Sequence, residues 1–236
     1  MKNIQSVLRM MSVALTVIFP VVAQAGANPA IQTTNDYVFG WNQIAGNSSA
    51  GGTIGWQFTV ASGVNLTVDE LGFYDNGHVA LDSAHPVGLW DANSNLLGEV
   101  TIPAGVSTNY LSGYTYEPLP DSVTLNAGDT YYIGAYYAPG SHDKLIVQYI
   151  NPIGQDFDSN ITWDTAIQTR FNEFQTGLDL PDNHLAPQGT YKEAFFGPTF
   201  SFTPEAAPEP ATYALFGLCA LALFVKRSVN SKAVSQ

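Results

Sequence analysis

Asp91, Asn93 and Asn95 stand at alternate positions, the spacing at which an EF-hand loop supplies its first calcium oxygens. Leu96 occupies the place of that loop's glycine and Ile102 the place of its bidentate glutamate. The run therefore reads as hairpin-turn chemistry. Asp75, Asn76 and Asp82 add further oxygens in a glycine-containing loop, which leaves calcium as the single cofactor the residues hold open. His78, Asp82 and His85 share that loop, but no HExxH or related zinc spacing occurs. Ser83 lies near His85 without the GxSxG elbow of a hydrolase. A glycosidase needs two carboxylates flanking its substrate, and nothing selects one pair here. Trp41, Trp56, Trp90 and Trp163, with Tyr131, Tyr132, Tyr136 and Tyr137, are rings on which sugars could stack. Trp56 falls on the apolar face of its strand and is expected in the core. Asn47, Asn65 and Asn160 begin glycosylation sequons, read as coincidence. No reaction is legible, and the chain reads as non-enzymatic.

The two ends carry plainer chemistry. Lys2 and Arg9 precede the apolar run Met10–Val22, and Ala23-Gln24-Ala25 offers a small-residue cleavage site. Residues 1–25 are thus expected to be a signal peptide, removed by signal peptidase. At the other end Pro208, Glu209 and Pro210 precede the uncharged run Ala211–Val225, which Lys226 and Arg227 close. Those 15 residues would span roughly 22 Å as a helix. That is short of the ~30 Å bilayer core, but the basic stop residues can snorkel. Residues 211–236 are expected to be a transmembrane tail with its basic end cytoplasmic. Cys219, the single cysteine, lies within it, so no disulfide joins the chain to itself.

This tail resembles the PEP-CTERM sorting signal of Gram-negative bacteria, over Ala207–Ser228 and in all three parts. Ala207 stands where such families often have Val. The resemblance implies recognition by an exosortase, a membrane cysteine transpeptidase, and cleavage near Pro208–Pro210.

Charge sharpens once the ends are set aside. Between Gly26 and Pro210 the chain has Lys144, Arg170 and Lys192 against all 20 acidic residues, a net charge of −17. Such a surface repels nucleic acid and anionic headgroups, and it favours solubility outside the cell. The mature length fits one domain.

The elements that must position these residues read as strands. In Thr53–Val60, Ile54, Trp56, Phe58 and Val60 alternate with polar or small residues. Leu66–Tyr74 changes register at Asp69-Glu70, which predicts a β-bulge. Val87–Trp90 and Leu96–Ile102 flank the Asp91–Asn95 turn as a hairpin. Tyr110–Glu117, Val123–Leu125, Thr130–Tyr137 and Leu145–Ile150 follow. Ile161–Trp163 is expected to continue the last of these. Asp164–Gln188 reads as irregular, and Phe195–Phe202 closes the domain. An edge strand is expected around Tyr37–Trp41. About eight short strands without an amphipathic helix predict an all-β fold, an antiparallel β-sandwich of jelly-roll or immunoglobulin-like type. The sandwich is assigned to residues 26–203, and residues 204–210 to a linker with the sorting motif.

Thr53–Val60, Leu71–Asp75, His85–Asp91 and Gly128–Ala135 together look like a recurrent bacterial extracellular β domain of unknown function, often found ahead of PEP-CTERM tails. The resemblance spans roughly residues 52–139 and implies fold and location only. The expectation is an exported surface or extracellular-matrix protein, anchored briefly in the inner membrane. Its partners would be signal peptidase, exosortase and extracellular polysaccharide, and not nucleic acid. A carbohydrate- or calcium-binding module and a secreted hydrolase are the alternatives.

Overall fold

The computed structural model describes residues 28–33, 38–40, 51–75, 77–149, 155–168, 175–181, 183–184 and 193–206. Every element among them is a strand, every pairing is antiparallel, and no helix occurs among the described residues. The expected signal peptide, Trp41 and the tail lie outside them.

Two sheets carry most of the strand residues described. The first has five strands in the order β1 (Asn28–Pro29), β16 (Pro198–Ala206), β5 (Val64–Tyr74), β9 (Tyr114–Leu125) and β8 (Tyr110–Leu111). The second has six, in the order β14 (Asn183–His184), β13 (Ile161–Gln168), β4 (Gly52–Val60), β10 (Thr130–Tyr137), β6 (His85–Asp91) and β7 (Leu96–Ile102). Two small sheets fill in at the side. One is β15 (Glu193–Phe196), β11 (Lys144–Tyr149) and β3 (Val38–Gly40), and the other is β12 (Gln155–Phe157) with β2 (Ile31–Thr33).

The alternation in β4 sets the core. Ile54, Trp56, Phe58 and Val60 are buried, because successive side chains of a strand point to opposite faces. The Trp56 ring lies 6.0 Å from that of Phe200 on β16, at 17° between planes, so rings of the two large sheets meet. It also meets Phe196 of β15 at 6.2 Å and Phe157 of β12 at 5.7 Å, both edge-on. Offset and edge-on geometries suit the quadrupoles of aromatic rings. The indole N–H, which burial would otherwise strand, donates to Pro198 O at 2.9 Å.

The opposite face of β4 is covered as well. Gly55, Gly134 and Gly88 stand side by side across β4, β10 and β6. They leave a shallow trough in which residues 175–181 lie. A Cβ on Gly88 would sit 2.9 Å from Leu178, and one on Gly134 would sit 2.9 Å from Pro181. The Asp179 N–H donates to Thr53 Oγ1, and the Tyr136 hydroxyl donates to Gln175 O.

Most expected strands are present, and the bulge falls where the register change placed it. Pairing of β5 with β9 jumps between Val68 and Glu70, leaving Asp69 exposed. Four readings need correction. Ile161–Trp163 does not continue β11; it opens β13, which pairs with β4. A second bulge at Asp164, whose carboxylate accepts the Thr59 hydroxyl at 2.9 Å, hides the alternation that continues to Gln168. Tyr110–Glu117 is split by a turn at Ser112 and Gly113, both at positive φ, as a two-residue hairpin loop requires. The residues after that turn join Val123–Leu125 in the single strand β9. Phe195–Phe202 is split at Gly197, where a side chain would collide with the Tyr137 hydroxyl. Its halves therefore enter different sheets. At the far end β16 runs on to Ala206, three residues into the segment read as linker.

Trp56→Ala should destabilise the domain by about 3–5 kcal/mol, the range for removing a large core ring. Urea unfolding of the mature protein followed by circular dichroism measures this; an unchanged midpoint would mean that the inter-sheet stack carries no weight.

Candidate functional site

Strand directions place the loops at two poles. Turns 61–63, 91–95, 126–129 and 158–160 share one pole, tied by backbone bonds such as Ala61 N–H to Asn160 O and Gly128 N–H to Val60 O. Loops 75–84, 103–113 and 138–143 share the other.

The second pole holds a buried polar bracket. His85 opens β6 and is fully buried, with its ring stacked on Phe73 at 3.8 Å. Its Nδ1 lies 3.0 Å from Tyr136 O. A carbonyl can only accept, so Nδ1 carries hydrogen. Its Nε2 lies 2.9 Å from Asp143 Oδ2. The Asp143 carboxylate also accepts the backbone N–H of Asp82 at 2.7 Å and of Ser83 at 2.9 Å, and the Ser83 hydroxyl at 3.0 Å. Burial pushes the Asp143 carboxyl up. The His85 hydrogen bond, the Asp82 N–H, the His85 charge and the Ser83 N–H outweigh it and hold the group below its ordinary value.

This geometry joins loop 75–84 to loop 138–143. Ser83 Oγ lies 3.4 Å from His85 Nε2, farther than the Asp143 carboxylate at 2.9 Å, and the same hydroxyl donates to Asp143. Asp143 is the partner that sequence reasoning missed. It lies 58 residues from His85, in a run with no motif, and nothing local marks it. A buried His at a strand start needing a distant acid was the signal that existed.

The expected metal candidates divide between the poles. Asp75 and Asp82 line a cleft of ≈ 170 Å³ with Asp143 and Tyr74. Asp75 is buried, and its Oδ2 accepts the Thr115 hydroxyl at 3.2 Å. Burial raises its carboxyl above the ordinary value despite that bond and the nearby His78. Asp82 points to solvent, 3.7 Å from the exposed His142. Asn76 lies outside the described residues. Asp91, Asn93 and Asn95 sit at the first pole. Asp91 Oδ1 accepts the N–H groups of Asn93 and Asn95, and Oδ2 accepts the Asn95 amide. Those bonds, the Asn95 amide first, lower its carboxyl. The spacing that resembles a calcium loop therefore serves as a self-satisfied Asx turn. Among the described residues no group of three or more His, Cys, Asp or Glu is placed to hold a metal ion.

The rings proposed as a sugar platform are largely enclosed. Trp56, Tyr131 and Tyr137 belong to the core, and Trp90 and Tyr136 are buried as well. Tyr132 and Trp163 are half-buried. Two sequon asparagines are spent inside the fold: Asn65 Oδ1 accepts the Ala127 N–H, and the Asn160 amide donates to Asp158. Asn47 lies outside the described residues.

The remaining site residues, Pro208, Glu209, Pro210, Lys226 and Arg227, follow the last described strand. Comparison with protein families matches residues 206–228 to the PEP-CTERM protein-sorting motif. No curated protein matches the chain at a significant level. The motif marks an exosortase substrate and implies export with transient membrane anchoring. Among the described residues no helix is long and apolar enough to cross a membrane; the tail lies outside them.

Asp143→Ala would leave His85 and two backbone N–H groups without their acceptor, and should destabilise by about 3–5 kcal/mol. The pH dependence has a definite sign. A carboxyl depressed in the folded state stabilises fully above its unfolded value of about 3.9, and that stabilisation is lost as pH falls through the lower folded value. Urea midpoints at neutral and acid pH should therefore differ less in Asp143→Ala than in the wild type. An equal acid loss in both would remove Asp143 from the account.

Proposed function

We propose that this protein is an exported, non-enzymatic surface or extracellular-matrix protein, built on a β-sandwich and sorted by an exosortase-type system. The observation that carries the reading is the sorting motif at residues 206–228, which begins on the last residue of β16. The last described strand and the matched motif thus share residue Ala206. The signal-peptide pattern of residues 1–25 and the acidic mature chain support export. The likeness of residues 52–139 to an extracellular β domain supports it too.

A role as matrix component rather than enzyme draws support from the His85 ring, which is fully buried and stacked on Phe73. Polysaccharide is the partner that suits this destination, and signal peptidase acts before it.

Protein recovered from the native host should show, by intact mass, loss of residues 1–25 and of the segment after about Pro210. Surface protein that still carried Ala211–Val225 would rule out processing and leave a simple membrane anchor.

A further inference from the structure

The last described strand ends at the first pole. Strand β16 ends at Ala206, paired with Val64, beside turn 61–63. Strand β1 runs against β16, with Asn28 opposite Phe202 and Pro29 opposite Ser201, so β1 runs away from that pole. Turn 126–129 adjoins the start of β5 through the Asn65 bond to Ala127.

Distance then constrains whatever cuts the tail. A residue spans at most about 3.6 Å, which puts Pro208 within about 7 Å of Ala206 and Pro210 within about 14 Å. An enzyme that holds this stretch in its active site comes against the surrounding turns. We propose that this pole, made by turns 61–63, 91–95, 126–129 and 158–160, is the face that docks against the membrane transpeptidase that processes the tail. The inference rests on the exosortase reading given above.

The chemistry of the face limits its partner. The pole carries Asp91, Asp129, Asp158 and Glu205, while Lys144, the single Lys or Arg among the described residues, starts β11 at the opposite pole. An anionic lipid surface repels such a face. A basic protein surface is complementary to it.

The test follows tail removal by pulse-chase and intact mass, using the full chain in the native host. The variant Asp129→Lys with Glu205→Lys reverses charge at the pole. Neither site anchors the core: Glu205 holds only the exposed Thr67 hydroxyl. Asp82→Lys reverses an exposed charge at the far pole and serves as control. The double variant should be processed at least about threefold more slowly, as expected when rim charges that steer association are reversed. The control should match the wild type. A ten-residue Gly-Ser spacer, about 17 Å in root-mean-square span, inserted between Ala206 and Ala207 should make removal insensitive to the reversal. Circular dichroism melting of each released domain shows that it folds. Removal at one rate in the wild type and the double variant overturns the docking face alone. Faster removal in the double variant overturns it in favour of a pole that faces lipid. A wild-type tail that stays attached overturns the processing reading, and the docking face with it.

Discussion

The Trp56 indole is the point on which the architecture turns. It belongs to the six-stranded sheet, yet its ring meets Phe200, Phe196 and Phe157, one from each of the other three sheets. Its N–H is satisfied by a carbonyl of β16, the strand that leads to the tail. One side chain thus fixes the spacing of the large sheets and the seating of the small ones. With no disulfide available, the chain relies on this aromatic layer for long-range closure. The glycine trough on the other face of the same sheet is its counterpart. There the absence of side chains at Gly88 and Gly134 lets an irregular segment lie close to the backbone.

What could be read beforehand was local. The alternation of Ile54, Trp56, Phe58 and Val60 announces an inward face by itself, and the register change at Asp69 announces a bulge. The Asp91 turn is likewise written in the five residues Asp91–Asn95. What could not be read depended on partners far along the chain. Asp143 became meaningful only through His85, and Gly197 only through the Tyr137 hydroxyl. Residues 161–168 kept their apolar rhythm but lost it at the Asp164 bulge. Tyr136 could not be read as covered, because its partner, the carbonyl of Gln175, lies 39 residues away. The sorting motif was legible, since its signal is composition and order rather than contact.

The two poles have been given different physics. The far pole is held by charge-assisted bonds between loops, with Asp143 gathering backbone and side-chain donors from loop 75–84. Such a bracket fixes loops without strands and draws little on the hydrophobic core. The near pole is closed by tight turns whose acids are either capped internally, as Asp91 is, or left to solvent.

The position of β16 within its sheet has a mechanical consequence. It is an inner strand, flanked by β1 and β5, and it pairs with β5 from Pro198 opposite Phe73 to Ala206 opposite Val64. A pull applied at the far pole while the tail is held would run along the strands. Antiparallel bonds lie across that direction, so they would be loaded together in shear rather than opened one after another like a zipper. A protein stretched between a cell and its surroundings would therefore resist tearing at the joint where the load enters.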